Sequence, residues 1–251
     1  MEWIIAGLAS LLAGFIDAVV GGGGLILLPA LFSVFPQAAA PTLLGTNKAT
    51  AIWGTGIAAT QFAQRVHIRW RVVLPAAAVA FIAAFAGAFL ATHVSGESLR
   101  KALPIILAAV FVYTLARKDL GAHHTPRFAG KNELFFACAI GVAIGFYDGF
   151  FGPGTGSFFV FFFVRALGYD FLNASASSKI LNVGTNLAAL ILFAATGHVW
   201  WHLAIPLAVL NIVGALIGAR LALRRGSRFV RWVFIVVVGA LIIKTFTDAY
   251  V

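Results

Sequence analysis

The sequence predicts an all-α fold: a polytopic membrane protein made of two inverted-topology repeats of five apolar segments each. Three observations predict it. Apolar residues make up 61% and charged residues only 10%, too little charge to cover a soluble fold of this length. A glycine-rich block near the N-terminus returns near the middle: Gly14-Phe15-Ile16-Asp17 with Gly21-Gly22-Gly23-Gly24, then Gly145-Phe146-Tyr147-Asp148 with Gly152-Pro153-Gly154-Thr155. Kept ungapped at that offset of 131 residues, the register also pairs Lys48 with Lys179, His67 with His198, Trp70 with Trp201, Pro75 with Pro206 and Arg100 with Arg231. Third, the basic loops alternate between halves that share this sequence.

In the first half the apolar segments run over about 3–20, 24–35, 42–64, 70–95 and 98–116. In the second they run over about 133–151, 154–167, 173–196, 201–223 and 229–247. The repeats are thus 1–116 and 133–251, joined by a polar linker over 117–132 that carries His123, His124, Pro126 and Gly130. Segment one is expected to be a retained helix: Glu2 stands where a cleavable signal would be positive, and the apolar run continues through Val20. Segments two and seven are only about 20 Å of helix and follow directly on a glycine break. Each is either re-entrant or one arm of a broken pair, so eight to ten membrane helices are expected.

Arg65, Arg69 and Arg71 mark the loop before segment four as cytoplasmic, and Arg117, Lys118, Arg127 and Lys131 mark the linker likewise. In the second half the basic cluster, Arg220, Arg224, Arg225, Arg228 and Arg231, comes one loop later, and the loop around His198 has no Lys or Arg. The halves therefore sit in opposite orientations, with both termini outside the cytoplasm. Arg100 and Lys101 in an outward loop run against the bias. The net charge of +10 is accounted for by these short loops, and no basic face on a soluble module points to nucleic acid. Cys138, the single cysteine, reads as a small apolar helix residue.

Four ionisable residues recur inside apolar segments: Asp17 with Asp148 and Lys48 with Lys179. A charge at the bilayer centre costs at least about 2.5–3.5 kcal/mol. One reading is structural, a salt bridge within each half tying segment one to segment three, with the aspartates pairing charge or coupling protons. The other places Lys48 and Lys179 in a pocket, because Thr46-Asn47 and Ser177-Ser178 precede them. The glycine clusters add a second signal, since the first amides of the following helix lack partners and carry the positive end of its dipole. Gly22, Gly23 and Gly24, with Gly154, Thr155, Gly156 and Ser157, would then cradle a small anion between the two lysines. Asn47 and Ser178 are further donors, and Asn182, Thr185 and Asn186 extend the polar patch in segment eight. His67 and His198 beside Trp70 and Trp201 read as interfacial. Neither a nucleotide-binding loop nor metal-ligand spacing is present, so no cofactor or metal is expected and the chain does not read as an enzyme.

With these blocks in view, the sequence resembles the TauE/SafE sulfite-exporter family over about residues 5–248. The carriers of the resemblance are Gly14 to Gly24, Gly145 to Gly156, Gly45-Thr46-Asn47-Lys48-Ala49-Thr50 and Ala176-Ser177-Ser178-Lys179-Ile180-Leu181-Asn182. The resemblance implies an integral inner-membrane protein that moves sulfite, sulfonates or related organic anions, often outward. The expectation is a secondary transporter working by alternating access, with a small anion and the bilayer as partners and a homo-oligomer as an open alternative. Two other readings stand beside it: a non-transporting assembly or sensor protein, and an intramembrane enzyme built around Ser157.

Overall fold

The computed structural model describes residues 2–92, 121 and 123–250, with backbone only over 241–250. Segment five, Arg100, Lys101, Arg117 and Lys118 lie outside the described residues. The described chain is helical throughout: α1 Glu2–Val20, α2 Gly24–Val34, α3 Ala40–Ala63, α4 Trp70–Ala91, α5 Gly130–Phe150, α6 Thr155–Phe162, α7 Phe171–Ala195 and α8 Trp201–Tyr250. A π-helical turn, Phe163–Leu167, extends α6. Segments nine and ten run together as α8, broken at Gly226, whose φ of 72° and ψ of −169° no helix accommodates.

Local chemistry sets these boundaries. Pro41 occupies the first turn of α3, where its missing N–H leaves nothing unpaired. Asp170 caps α7 by accepting from the Asn173 amide at 2.8 Å. Five helices, α1, α4, α5, α7 and α8, are long and apolar enough to cross a membrane. The short α2 and α6 are not. With its π-helical turn, α6 folds back along α5, since the hydroxyl of Tyr169 beyond that turn donates to Glu133 at the start of α5 (2.6 Å). Leu27, Leu28 and Leu31 of α2 cluster with Ala6 and Ala13 of α1, which makes a second hairpin.

The halves interlock. The first helix of each half packs along the fourth helix of the other, α1 on α8 and α4 on α5, and the third helices follow suit, α3 on α8 and α7 on α4. Small residues permit these close approaches. A Cβ on Gly14 would collide with the carbonyl of Asn211, and one on Gly145 with that of Ala80. Gly218 likewise meets Phe15, and Gly87 meets Phe146. In both cases the second contact is the first with the halves exchanged at the offset of the duplication. The outer faces are apolar: Ile4 and Leu8 on α1, Ile82 and Phe89 on α4, and Ile205 and Ile217 on α8 are all exposed, as a lipid-facing surface requires.

Candidate functional site

The two glycine breaks meet. Gly21 lies backbone to backbone against Gly156, leaving no room for a Cβ at either position. Gly21, Gly22, Gly152 and Gly154 all have positive φ, a conformation glycine adopts without penalty. The junction is sewn by side chains of the second half. Ser157 Oγ donates to the Gly21 carbonyl at 3.0 Å and Ser175 Oγ to that of Val19 at 2.9 Å. Tyr147 Oη donates to the Pro153 carbonyl at 2.5 Å, fixing the second break to its own half.

The charges pair across the halves, not within them. Lys48 Nζ of α3 lies 2.6 Å from Asp148 Oδ1 of α5, and both side chains are buried. Lys179 Nζ of α7 donates to the backbone carbonyl of Asp17 at 3.0 Å and to Ser175 Oγ at 3.0 Å, and lies over the Phe62 ring. It therefore sits at the C-terminal turn of α1, where unpaired carbonyls carry the helix's negative end. The Asp17 carboxylate takes other partners, Thr55 Oγ1 at 2.8 Å and the Gly23 amide at 3.4 Å. The expected salt bridge within each half is thus replaced. Each lysine reaches the first helix of the other half instead, because the first helices are exchanged, while Asp17 keeps a neutral link to segment three of its own half through Thr55.

Between the breaks lies a cavity of about 20 Å³, room for little more than one water. From the first half, Asp17, Gly22, Gly24, Asn47, Lys48 and Ala51 line it. From the second come Asp148, Gly152, Gly154, Thr155, Gly156, Asn182 and Asn186. Of the residues singled out by sequence, Gly23, Ser157, Ser178, Lys179 and Thr185 stand outside the lining. Ser157, Lys179 and Gly23 bond to the backbone or carboxylate of the first half, and Ser178 Oγ donates to the Ser175 carbonyl at 3.3 Å. Ala51, Gly152, Asn182 and Asn186 complete the wall. For the asparagines the signal was already present, as they follow Lys179 at helical spacing. Two buried acceptors here, Asn47 Oδ1 and Asp148 Oδ2, have no hydrogen-bond partner. Among the described residues no cluster of three or more His, Cys, Asp or Glu could hold a metal.

His67, exposed, and His198, partly buried, stand outside this lining, and Trp70 and Trp201 are each about half exposed at helix starts. The polar residues thus converge on one buried site with a lysine, two carboxylates, three amide side chains and two helix N-termini.

The chain is similar to known membrane proteins over nearly its whole length. The profile of the family described as Sulfite exporter TauE/SafE matches residues 6–245. "Probable membrane transporter protein ORF9" of Sinorhizobium sp is 36% identical over 242 residues, covering 96% of this chain and 90% of that protein. "Probable membrane transporter protein YfcA" of Escherichia coli K12 is 34% identical, covering 96% and 88% respectively. A "Probable membrane transporter protein" of Haemophilus influenzae is also 34% identical, over 87% of this chain and 84% of its own length. With the family profile spanning nearly the whole chain, this protein belongs to the TauE/SafE family of membrane transporters.

Proposed function

We propose that the chain is a secondary transporter that exports a small sulfur-containing or organic anion, such as sulfite or a sulfonate, across the inner membrane by alternating access. One observation carries the reading: a buried lysine, Lys48, faces a cavity flanked by the N-termini of α2 and α6, each opening at a glycine break. Amides near Gly22, Gly24, Gly154, Thr155 and Gly156 would hydrogen-bond the anion's oxygens, and Asn47, Asn182 and Asn186 would supply side-chain donors. Lys179, Gly23, Ser157 and Ser178 would support this wall from behind.

Asp17 and Asp148 share the cavity with a single lysine, so an entering anion meets one positive and two potential negative charges. Each proton taken up by a carboxyl group removes one of the competing negative charges, which supports proton coupling. The cavity also has to widen for an anion larger than water. An inverted arrangement of the repeats offers a route. Lys48 bonds a carboxylate oxygen of Asp148, whereas Lys179 bonds the main-chain carbonyl of Asp17. Exchanging the two conformations between the halves would open the site to the opposite side.

The test is binding of sulfite, a sulfonate and a simple carboxylate to purified protein. Wild type is expected to bind at least one of them saturably, and Lys48→Ala to lose it. Unchanged binding in a folded Lys48→Ala protein would remove the site from transport.

A further inference from the structure

A second cationic constellation lies at the arginine-rich end of the molecule, away from the central cavity. The end of α3 and the stretch of α8 before its break enclose a cavity of about 440 Å³ lined by Gln61, Gln64, Arg65, Arg220, Leu223 and Arg224. Arg220 and Arg224 stand one turn apart on one helix face, a spacing at which like charges repel. Arg65 approaches from the other helix. None of the three has an ion-pair partner among the described residues. Among the described residues, the carboxylates Glu133 and Asp170 are engaged elsewhere. Glu133 takes Arg69 and Tyr169, and Asp170 takes Asn173, Ser227 and His124.

The surface that continues from this cavity is apolar. Back along the same stripe of α8 from Arg224 and Arg220 come Ile217 and Val213, both exposed. On α3 the stripe from Gln64 and Gln61 leads to Ile57 and the exposed Trp53. Of the positions equivalent under the duplication, Leu192, Ala195, Thr196 and Phe89 carry no cationic or amide group and Arg224 maps to His93, so the three arginines exist at one end only. We propose that this cavity binds the phosphate group of an acidic phospholipid, with the guanidinium forks and carboxamides holding the oxygens and the stripe below receiving the acyl chains. Arginine suits the task because its planar donors match phosphate geometry two at a time, and the apolar stripe favours a lipid over a free phosphate.

The full-length protein in detergent would be titrated with phosphatidylglycerol, phosphatidylcholine and soluble glycerol phosphate, counting bound molecules by native mass spectrometry. Phosphatidylglycerol is expected to bind saturably, and an Arg65→Gln/Arg220→Gln/Arg224→Gln protein to bind it about a hundredfold more weakly. An Arg71→Gln/Lys131→Gln protein, altered in a separate groove that His67, Arg69, Arg71 and Lys131 line, should bind as wild type does. All five side chains are solvent-exposed, so folding should survive in each variant. Glycerol phosphate binding as tightly as the lipid would keep the phosphate site and assign it to a soluble anion. Equal binding of the two lipids, or an equal loss in the Arg71/Lys131 variant, would overturn the proposal.

Discussion

At the scale of single residues, the Lys48–Asp148 pair concentrates the physics of the site. A buried ion pair contributes little net stability, but removing one partner strands the other charge. Asp148→Asn should therefore destabilise the protein by roughly 3–5 kcal/mol, and the double variant Lys48→Met/Asp148→Asn should recover part of it. Thermal melts in detergent would measure both; equal losses would mean that the pair does not act as one unit. The glycines permit a sharper contrast. Gly21→Ala should abolish accumulation of folded protein, because a Cβ there meets the Gly156 backbone at an already positive φ. Gly56→Ala, with nothing within 4 Å, should be neutral or stabilise α3 by up to about 1 kcal/mol. Size-exclusion profiles of the two variants would check this pair. The duplication singled out Asp17, Lys48, Asp148 and Lys179 because a charge kept twice in apolar surroundings stands out in one sequence. What stayed hidden was who pairs with whom, since Lys48 and Asp148 are brought together only by helix exchange between distant segments.

At the scale of elements, hydropathy and glycine punctuation placed nearly every described helix within a few residues. The exception is the end of the chain. The Arg-Arg-Gly-Ser run from Arg224 to Ser227 reads as a loop, yet the helix resumes directly after one left-handed residue, Gly226. A one-residue break leaves no compositional trace beyond its glycine. Nor could hydropathy decide whether α2 is re-entrant or one arm of a broken pair, because its length rules out a full span by itself and fits both. The hairpin packing makes a specific expectation. In a protein whose Cys138 has been replaced by Ala, Gln37→Cys should react with an impermeant thiol reagent from the same side as Glu2→Cys. His123→Cys should react from the other. Labelling of Gln37→Cys together with His123→Cys would require α2 to traverse the bilayer.

At the scale of the whole molecule, the stabilising contacts lie between the halves. Packing of α1 on α8 and of α4 on α5, the Lys48–Asp148 pair and the meeting of Gly21 with Gly156 all cross the duplication. Neither half can complete its own site or cover its own small-residue faces. Residues 1–116 or 117–251 expressed alone should be degraded, whereas the two fragments produced together should accumulate in the membrane fraction, as immunoblots would record. Survival of one half by itself would mean that the repeats are independent folding units.

The exchange of first helices also sets a schedule for biogenesis. α1 leaves the ribosome well before its main partner: the stretch of α8 that meets Gly7 and Gly14 is made roughly 200 residues later. At about 5–20 residues per second, that is a wait of some 10–40 seconds. Throughout it, the notched face of α1 that α8 will cover has only lipid or the insertion machinery for company. Delayed closure of this kind makes α1 the natural handhold for a membrane chaperone, and the point from which quality control would begin when synthesis stalls.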